Sequence, residues 1–573
     1  MGRIFVDNSF CISQSFHYLC KSVKNDIGKY GPLCVSVLLG VLAFLFWWLC
    51  CPQALSYHEQ YQLFQMTGDY FLDAIRMPGG LADYVSEFLV QFYYVGWMGA
   101  LVLALLYVAL QRLTWRLMRR RRKEMPSSCV LLSLLPPILL LALMGDESVL
   151  LSYTVALLLS LLMAVIADGC WRDHWMSWPD VLVVPLCYWL IGPVAWTYVA
   201  LRMVQSGRRS LWLPLPMLLA QYVASRCLVQ SPLKMIWLGL NYERTPMQYH
   251  VLMLLIPIVV VALVALVGCF GRMARLSRKL QNSVAVLILL VICGACWWAV
   301  NSYDREKYEL IRQDYLVRHE RWSELIKRAD RYQVKDAFSS NCVNLALAKE
   351  RRLADGMFDY YQSGEDALIM PMVRNLTSNI PTAEAFWHLG MVNSAFRYMF
   401  DLQESILNAR KSGRFTKRIV ECLIVNGQYQ SAAKHLALLK NTIFYRKWAL
   451  ETEKLLYHDN LVDAHPLYGR LRQFRFKNDF LYNYAEIDKM LGQLFVNNPQ
   501  NVMALDYFMG EMLLKGNVQG FLQYMSWVQQ HGGYQFMPNG YQDAVRYIQS
   551  HGLEKNSAYG RYVRRMMNAD EEG

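Results

Sequence analysis

Long apolar runs fill residues 33–300 of this 573-residue chain, and none occurs in residues 301–573. The runs at 33–50 and 251–270 approach the roughly 20 apolar residues that a helix needs to cross a hydrocarbon core of about 30 Å. Because lipid offers the backbone no hydrogen-bond partners, we expect each crossing to be helical. The pattern predicts an all-α protein in which a polytopic transmembrane helix bundle is followed by a soluble domain.

The apolar runs also predict the domain boundaries. We expect a cytoplasmic N-terminal segment at 1–31, the transmembrane bundle at 32–300 and the soluble domain at 301–573. The segment 180–205 is interrupted by Gly192 and Pro193, which favours two half-length helices over one full crossing. The predicted spans lie near 33–51, 93–111, 128–145, 149–167, 211–225, 251–270 and 283–300.

The positive charge of the chain indicates membrane orientation and not a nucleic-acid partner. Residues 1–300 hold 23 Lys and Arg against 14 Asp and Glu, which accounts for +9 of the net charge of +13. Lys and Arg are enriched in cytoplasmic loops. The basic clusters therefore place the N-terminus in the cytoplasm and, with the predicted spans, the C-terminal domain outside it. These clusters are Lys21, Lys24 and Lys29; Arg112, Arg116, Arg119 to Arg122 and Lys123; Arg208 and Arg209; and Arg272, Arg275, Arg278 and Lys279.

The first external loop, 52–92, is acidic and amphipathic. Ser56 and Glu59 have the spacing of a capping box, which predicts that a helix begins at Ser56. The breaker sequence 78–80 then separates two stripes of apolar and aromatic residues, which predict two interfacial helices on the outer membrane surface. The loop carries Glu59, Asp69, Asp73, Asp83 and Glu87 against the single base Arg76.

The soluble domain shows antiparallel helix pairs separated by turn residues. The segment 414–440 has the turn Asn426 and Gly427, and 501–530 has Lys515 and Gly516. Small residues after a Gly turn, followed by a large apolar residue one turn later, resemble the tetratricopeptide repeat. Degenerate copies lie at 340–363 and 383–410. The pattern predicts a tetratricopeptide-like α-solenoid, whose concave face is typical of a protein-binding or peptide-binding surface.

Four longer strings carry a family resemblance that spans both halves of the chain. They look like an uncharacterised family of bacterial multi-pass membrane proteins with helical-repeat C-termini. The resemblance implies the inner membrane of a bacterium and brings no assigned activity. The strings are HEQYQLFQMTGDYF at 58–71, PGGLADYVSEFLVQFYY at 78–94, NLALAKERRLADGMFDYYQ at 344–362 and GQYQSAAKHLALLKNTIFYRKWA at 427–449.

An enzyme is the alternative hypothesis. In layout the chain is similar to polytopic glycosyltransferases that use polyprenyl-phosphate-linked donors, which place Asp or Glu in the first external loop. The resemblance implies Glu59, Asp69 and Asp73 as general bases or ligands of a divalent metal. Arg226, Lys234 and Arg244 in the segment 226–250 would then bind the lipid phosphates. The same acidic residues fit the wet face of an interfacial helix, and the same bases fit interface anchoring.

The leading hypothesis is a non-catalytic protein of the bacterial inner membrane. Its extracytoplasmic tetratricopeptide-like domain would bind a protein or peptide partner, as an envelope scaffold, while the bundle contacts the lipid bilayer. No cofactor is expected under this hypothesis, and no nucleic acid is expected as a partner.

Overall fold

The chain forms two compact units, each described here by itself. Unit 1 comprises Met1–Glu59 and Thr67–Asp304, and unit 2 comprises Gln60–Met66 and Arg305–Gly573. The units divide after Asp304, whereas the sequence boundary lies after residue 300, and seven residues of the predicted external loop belong to unit 2. The computed structural model describes residues 30–121, 127–170, 179–229, 233–239, 242–244, 249–267, 277–373, 378–406, 410–476, 484–530, 533–554 and 556–572.

Helices dominate both units, and the predicted all-α class is confirmed for the described residues. The only pairing of extended backbone that they contain is an isolated antiparallel bridge between Val149 and Glu243. The predicted basic residues Lys21, Lys24, Lys29, Arg122, Lys123, Arg272 and Arg275 lie outside the described part of the chain.

Unit 1 is built from helices of very different length. Its α-helices are α1 Tyr30–Cys50, whose last turn is a π-helix, α2 Pro52–Glu59, α3 Gly68–Ile75, α4 Gly80–Val90, α5 Gly96–Arg121, α6 Leu135–Leu143, α7 Leu151–Cys170, α8 Asp180–Ile191, α9 Ala195–Ser206, α10 Pro214–Val223, α11 Leu233–Leu238, α12 Leu252–Ala265 and α13 Arg278–Asn301.

Four of these helices, α1, α5, α7 and α13, are long and apolar enough to cross a membrane. They correspond to the predicted spans near 33–51, 93–111, 149–167 and 283–300. The predicted spans near 128–145 and 251–270 correspond to shorter apolar helices. The one near 211–225 corresponds to α10, which has 10 residues. Membrane association therefore rests on four helices of sufficient length.

The predicted break in segment 180–205 is confirmed. Helix α8 ends at Ile191, and α9 begins at Ala195. Gly192 between them has a φ of +78°, and a Cβ at this position would lie 2.7 Å from the Tyr242 hydroxyl oxygen. Two features therefore require glycine at this position: the positive φ of the backbone and the close approach of Tyr242.

The predicted helix start at Ser56 is wrong. Helix α2 begins at Pro52 and ends at Glu59, so that Ser56 lies inside it. Proline suits the first turn because its φ is already helical and it has no N–H to leave unpaired. The real cap of the next helix, α3, is Thr67, whose side chain accepts the N–H of Tyr70. The loop therefore contains three helices, α2 to α4, where the sequence predicts two.

Unit 2 consists mainly of short helices. They are α14 Arg305–Arg318, α15 Trp322–Ala329, α16 Ala337–Lys349, α17 Leu353–Gly356, α18 Ile380–Leu389, α19 Val392–Glu404, α20 Gly413–Val425, α21 Tyr429–Lys440, α22 Arg446–Glu453, α23 Asp459–Ala464, α24 Pro466–Phe474, α25 Ile487–Asn497, α26 Val502–Leu514, α27 Val518–Gln530, α28 Asn539–Gln549 and α29 Ala558–Glu572.

The same type of turn joins the two helices of five pairs in the described part of unit 2. In each, a residue in the left-handed conformation ends the first helix, namely Glu320, Arg351, Gly390, Gly427 or Gly516. The N–H of the next residue bonds to the carbonyl oxygen five residues earlier, which is the Schellman pattern. These bonds are Arg321 to Leu316, Arg352 to Leu347, Met391 to Phe386, Gln428 to Leu423 and Asn517 to Met512, at 2.7–2.9 Å.

The resulting pairs are α14 with α15, α16 with α17, α18 with α19, α20 with α21 and α26 with α27, and the two helices of each pair pack together. Four of these pairs occupy the segments that the sequence singled out. The pair of α14 and α15 was not predicted. Its turn residue is Glu320, and the other pair without a turn glycine, whose turn residue is Arg351, was recognised only as a degenerate copy.

The turn predicts opposite effects for two substitutions. Gly427→Ala should lower the free energy of unfolding by about 1 kcal/mol. Because a Cβ at Gly427 would meet nothing within 4 Å, this cost is purely conformational. Glu320→Gly should relieve the same strain and raise stability by a similar amount. Thermal unfolding of the full-length protein measures both, and two shifts of the same sign would contradict the assignment of the turn.

Two carboxyl groups of α26 are buried in unit 2. Burial raises the pKa of Asp506 to about 7, although the Tyr534 hydroxyl donates to this carboxylate at 2.7 Å. Burial likewise raises the pKa of Glu511 to about 7, and the Lys515 ammonium at 3.4 Å opposes the change. A low-dielectric interior disfavours the charged form of an acid. Both side chains are therefore proton-binding sites of the folded state.

These pKa shifts predict that stability falls as pH rises. A carboxyl group with a raised pKa binds protons more tightly in the folded chain, so its contribution is complete below about pH 4 and is lost as pH rises through about 7. Asp506→Asn should reduce this loss between pH 5 and pH 8. Glu451→Gln, at an exposed carboxylate, is the matched control. Equal pH dependence of Asp506→Asn and wild type in thermal unfolding would contradict the burial argument.

Candidate functional site

The acidic residues proposed for catalysis differ in their exposure to the surroundings of the protein. Glu59 is buried at the end of α2. Asp69 and Asp73 lie on α3, which has no buried residue, and both are exposed. The Asp73 carboxylate pairs with the Arg76 guanidinium at 2.7 Å. These two aspartates therefore lie on the solvent-facing or lipid-facing surface of unit 1.

The basic residues proposed for phosphate binding also differ in placement. Arg226, in the π-helical turn after α10, and Lys234, in α11, are exposed. Arg244 is half-buried and contacts α2. Its guanidinium carbon lies 4.9 Å from the centre of the Tyr57 ring, and its Nη2 lies 3.3 Å from Nδ1 of His58. Among the described residues the structure thus brings Arg244, and neither Arg226 nor Lys234, to the helix that ends in Glu59.

The contact between Arg244 and His58 defines the protonation state of the imidazole. A guanidinium group can only donate, so Nδ1 of His58 accepts, and its proton is on Nε2. Burial, and next the nearby charge of Arg244, hold the pKa of His58 well below its usual value. The pair is therefore a cation next to a neutral histidine, which is a poor general acid at neutral pH.

Backbone pairing fixes the position of Arg244. Its N–H bonds to the carbonyl oxygen of Ser148 at 2.7 Å, and the N–H of Leu150 bonds to Tyr242 at 2.8 Å. The buried Glu243 carboxylate accepts the N–H groups of Tyr249 and His250, each at 2.8 Å. Both of these hydrogen bonds join Glu243 to nearby backbone of the same loop. The described residues contain no group of three or more His, Cys, Asp or Glu that could hold a metal ion.

A second site lies in unit 2, where the chain inserts Gln60–Met66, here called the bound segment. Its residues between α2 and α3 are not helical beyond a turn at residues 60 and 61. Gln60, Tyr61, Gln62, Leu63 and Phe64 are all buried, with at most 5% of each residue exposed. A stretch of chain without regular secondary structure is therefore buried in the folded protein, and it belongs to a helical unit to which it is not adjacent in sequence.

Backbone and side chains both hold the bound segment. The N–H of Leu63 bonds to the carbonyl oxygen of Lys411 at 2.9 Å, and that of Met66 bonds to Asn441 at 2.8 Å. The Tyr61 ring packs edge-on against Phe415, with ring centres 5.9 Å apart. Main-chain hydrogen bonds give affinity for an extended chain, and side-chain pockets give selectivity.

Arg414 connects the bound segment to a buried ionic network. Its Nη1 donates to Oε1 of Gln60 at 2.8 Å and to the Asp314 carboxylate at 2.8 Å and 2.9 Å. Its Nη2 lies 3.6 Å from Glu384. We call the set Asp314, Glu384, Arg414, Arg418 and Glu421 the arginine network.

Helix α20 presents the network on one face. Arg414, Arg418 and Glu421 follow at intervals of four and three residues, which places them on the same side of a helix. The Arg418 guanidinium bonds to Glu384 and Glu421, each at 2.6 Å, and lies 4.5 Å from the Trp387 ring. Burial alone would lower the pKa of Arg418, but the negative charges of Glu384 and Glu421 keep it above its usual value. The network therefore carries three carboxylates against two guanidinium groups.

Several polar atoms of the bound segment remain without a partner among the described residues. Both amide atoms of Gln62 and Nε2 of Gln60 are buried without a hydrogen bond, as is Nε of Arg414. Each buried unpaired polar group costs about 1–3 kcal/mol. Apolar packing and backbone hydrogen bonds therefore hold the bound segment, whereas some of its side-chain amide groups lack hydrogen bonds.

Sequence reasoning placed the bound segment in an amphipathic surface helix. The residues 60–63 alternate polar and apolar, which is the period of an extended chain and was the available signal. Arg414, Arg418 and Glu421 were also missed. Their signal was a row of charges on one face of a helix whose other positions are mostly apolar, apart from Thr416 and Lys417.

Gln62→Leu tests the account of the bound segment. Because both amide atoms lack partners, an apolar side chain of similar volume should raise the free energy of unfolding by about 1–3 kcal/mol. Gln65→Leu, at a half-buried position of the same segment, should change it little. Thermal unfolding measures both variants. A loss of stability with Gln62→Leu would show that the amide is satisfied in the folded protein.

Comparison with known proteins identifies a family. The chain belongs to a family of unknown function, DUF6057, whose family model matches residues 29–568. This confirms the part of the resemblance that pointed to an uncharacterised family. No curated protein and no solved structure matches the chain.

Proposed function

We propose that this member of the DUF6057 family is a membrane-anchored receptor for extended segments of protein, with unit 2 as the binding unit. The observation that carries the proposal is the bound segment. Unit 2 encloses residues 60–64 by backbone hydrogen bonds, aromatic packing and a guanidinium contact. A surface that recognises one extended chain has the chemistry to recognise another of similar pattern.

The helix pairs support a repeat architecture for the receptor. Five pairs share the same left-handed turn, and α19 packs on α20 between two of them. We infer a tetratricopeptide-like stack, in which neighbouring pairs bury a common core and leave a groove for a ligand.

The distribution of charge supports a position of unit 2 outside the cytoplasm, and the bacterial inner membrane is what the family resemblance implies. The C-terminal part of α5, a helix long and apolar enough to cross a membrane, carries Arg112, Arg116 and Arg119 to Arg121. The positive-inside bias assigns this end of α5 to the cytoplasm. We infer an envelope scaffold that presents its binding unit to proteins of that compartment.

The glycosyltransferase hypothesis has less support. It would need Asp69 and the Arg226 or Arg244 guanidinium around one cavity. Asp69 is exposed on α3, and Arg244 is the only one of the three proposed bases seen in contact with α2 among the described residues. We therefore favour binding over catalysis.

A labelled peptide tests the receptor hypothesis. The probe is a fluorescent peptide with the sequence of residues 58–68, added to the full-length protein in detergent micelles. In wild type the bound segment competes at an effective concentration of about 1 mM, so the peptide should bind weakly. Leu63→Asp should dislodge the buried Leu63 and tighten binding at least about tenfold, because the competitor is removed. Fluorescence anisotropy measures the Kd.

Matched variants make the result specific. Leu72→Asp places the same charge at an exposed leucine of α3 and should leave peptide binding at the wild-type level. Arg414→Ala in the Leu63→Asp background should weaken binding, since the Gln60 contact is lost. Binding that is no tighter in Leu63→Asp, while the variant elutes as a folded protein, would refute the receptor hypothesis. Phe64→Ser is the second release variant if Leu63→Asp does not fold.

A further inference from the structure

The peptide-binding hypothesis gives no role to a groove that lies between two candidate membrane spans of unit 1. It has a volume of about 410 Å³ and lies between α1 and α5. Its walls include Val37, Gly40 and Phe44 of α1 and Leu101 and Val108 of α5. This volume falls within the range of about 300–1,000 Å³ that is usual for small-ligand sites.

At the floor of the groove, α1 and α5 approach each other closely, and the polar side chains there are hydrogen-bonded. A Cβ at Gly40 would lie 3.1 Å from a methyl carbon of Val108. Next to this contact, the buried Ser36 hydroxyl donates to Oε1 of Gln111 at 2.7 Å, and Nε2 of Gln111 donates to Ser133 at 2.8 Å. All the polar groups of this floor are paired with protein atoms, so the groove offers an apolar surface to its occupant.

The groove is about as long as one leaflet of a bilayer. Its lining on α5 runs from Leu101 to Arg112, which is about 16 Å at 1.5 Å per residue. This is about half of the ~30 Å hydrocarbon core. Spread over this length, 410 Å³ gives a mean cross-section well below that of a helix, which is about 10–12 Å across with its side chains. The dimensions favour a single alkyl chain over a helix of another protein.

One cation marks the end of the groove. Arg112 lines it, is exposed, and makes no ion pair with another described residue. Arginine presents donors in a planar fork that matches a phosphate group, and its long side chain can extend from apolar surroundings to the membrane interface. An apolar channel of leaflet depth with a guanidinium at one end matches the charge and shape of an anionic phospholipid.

We propose that this groove is a lipid-binding site that holds one acyl chain of an anionic phospholipid, with the phosphate on Arg112. The site differs from the one proposed at Arg226, Lys234 and Arg244, because none of these three residues lines the groove. It is also independent of the peptide-binding hypothesis, because no residue of unit 2 takes part.

Photo-crosslinking of lipids tests the proposal on the full-length protein in detergent. The probes are phosphatidylglycerol and phosphatidylcholine, each with a diazirine on the same acyl chain, and adducts are located by mass spectrometry. One cation near a headgroup contributes about 1 kcal/mol, so phosphatidylglycerol should label the groove residues about fivefold more than phosphatidylcholine. Arg112→Gln should reduce this ratio to about one.

Two further variants make the result specific to the groove. Arg116→Gln removes an exposed charge one turn away that does not line the groove and should keep the wild-type ratio. Val37→Trp fills the groove from an exposed position and should abolish labelling by both lipids. Equal labelling of wild type by the two lipids, an equal effect of Arg116→Gln, or labelling that persists in Val37→Trp would each overturn the proposal.

Discussion

Burial of charged and polar groups restricts which residues of unit 2 can come together, and Arg414 is where this constraint is most evident. Its guanidinium joins Asp314 of α14, Glu384 of α18 and Gln60 of the bound segment, three parts of the chain that are far apart in sequence. Removing one member of such a network leaves the others charged and unpaired in a low-dielectric interior, which costs about 3–5 kcal/mol. The network therefore defines which residues must come together, whereas apolar packing supplies most of the stability.

The bound segment contacts this network through Gln60, and it is also the basis of the proposed function. It belongs to unit 2 although both of its chain neighbours, Glu59 and Thr67, belong to unit 1. Its backbone contacts are of the kind that peptide-binding proteins use for a ligand, and its unpaired amides make it an imperfect occupant. Under the receptor hypothesis, the residues that contact the bound segment form the binding surface, and the segment itself is a model of the ligand.

Some elements follow closely from local signals and others do not. Gly427 and Gly516 mark helix turns because glycine adopts a left-handed conformation without strain, and those two pairs were predicted. Glu320 and Arg351 adopt the same conformation with a Cβ; the pair at Glu320 was missed, and the pair at Arg351 was recognised only as a degenerate copy. In the first external loop, Ser56 and Glu59 match a capping box, yet the helix begins at Pro52. Proline favours the first helical turn, and this upstream signal prevails over the capping box. Of the six proposed site residues, Glu59 and Arg244 lie at or against α2, and no local pattern distinguished them from Asp69 or Arg226.

The sequence by itself determined the helical class, the approximate positions of four helices that are long and apolar enough for a membrane, the break at Gly192 and Pro193, and the glycine turns of unit 2. Each of these depends on properties of a few adjacent residues, such as apolar length, fixed φ or freedom at positive φ. Only the tertiary structure decided that residues 60–66 leave their neighbours to join unit 2, that Arg414 meets Gln60 and that Arg244 meets His58. Contacts of this kind link residues more than 180 positions apart, and they arise because a buried charge or amide must find a partner wherever the folded chain offers one.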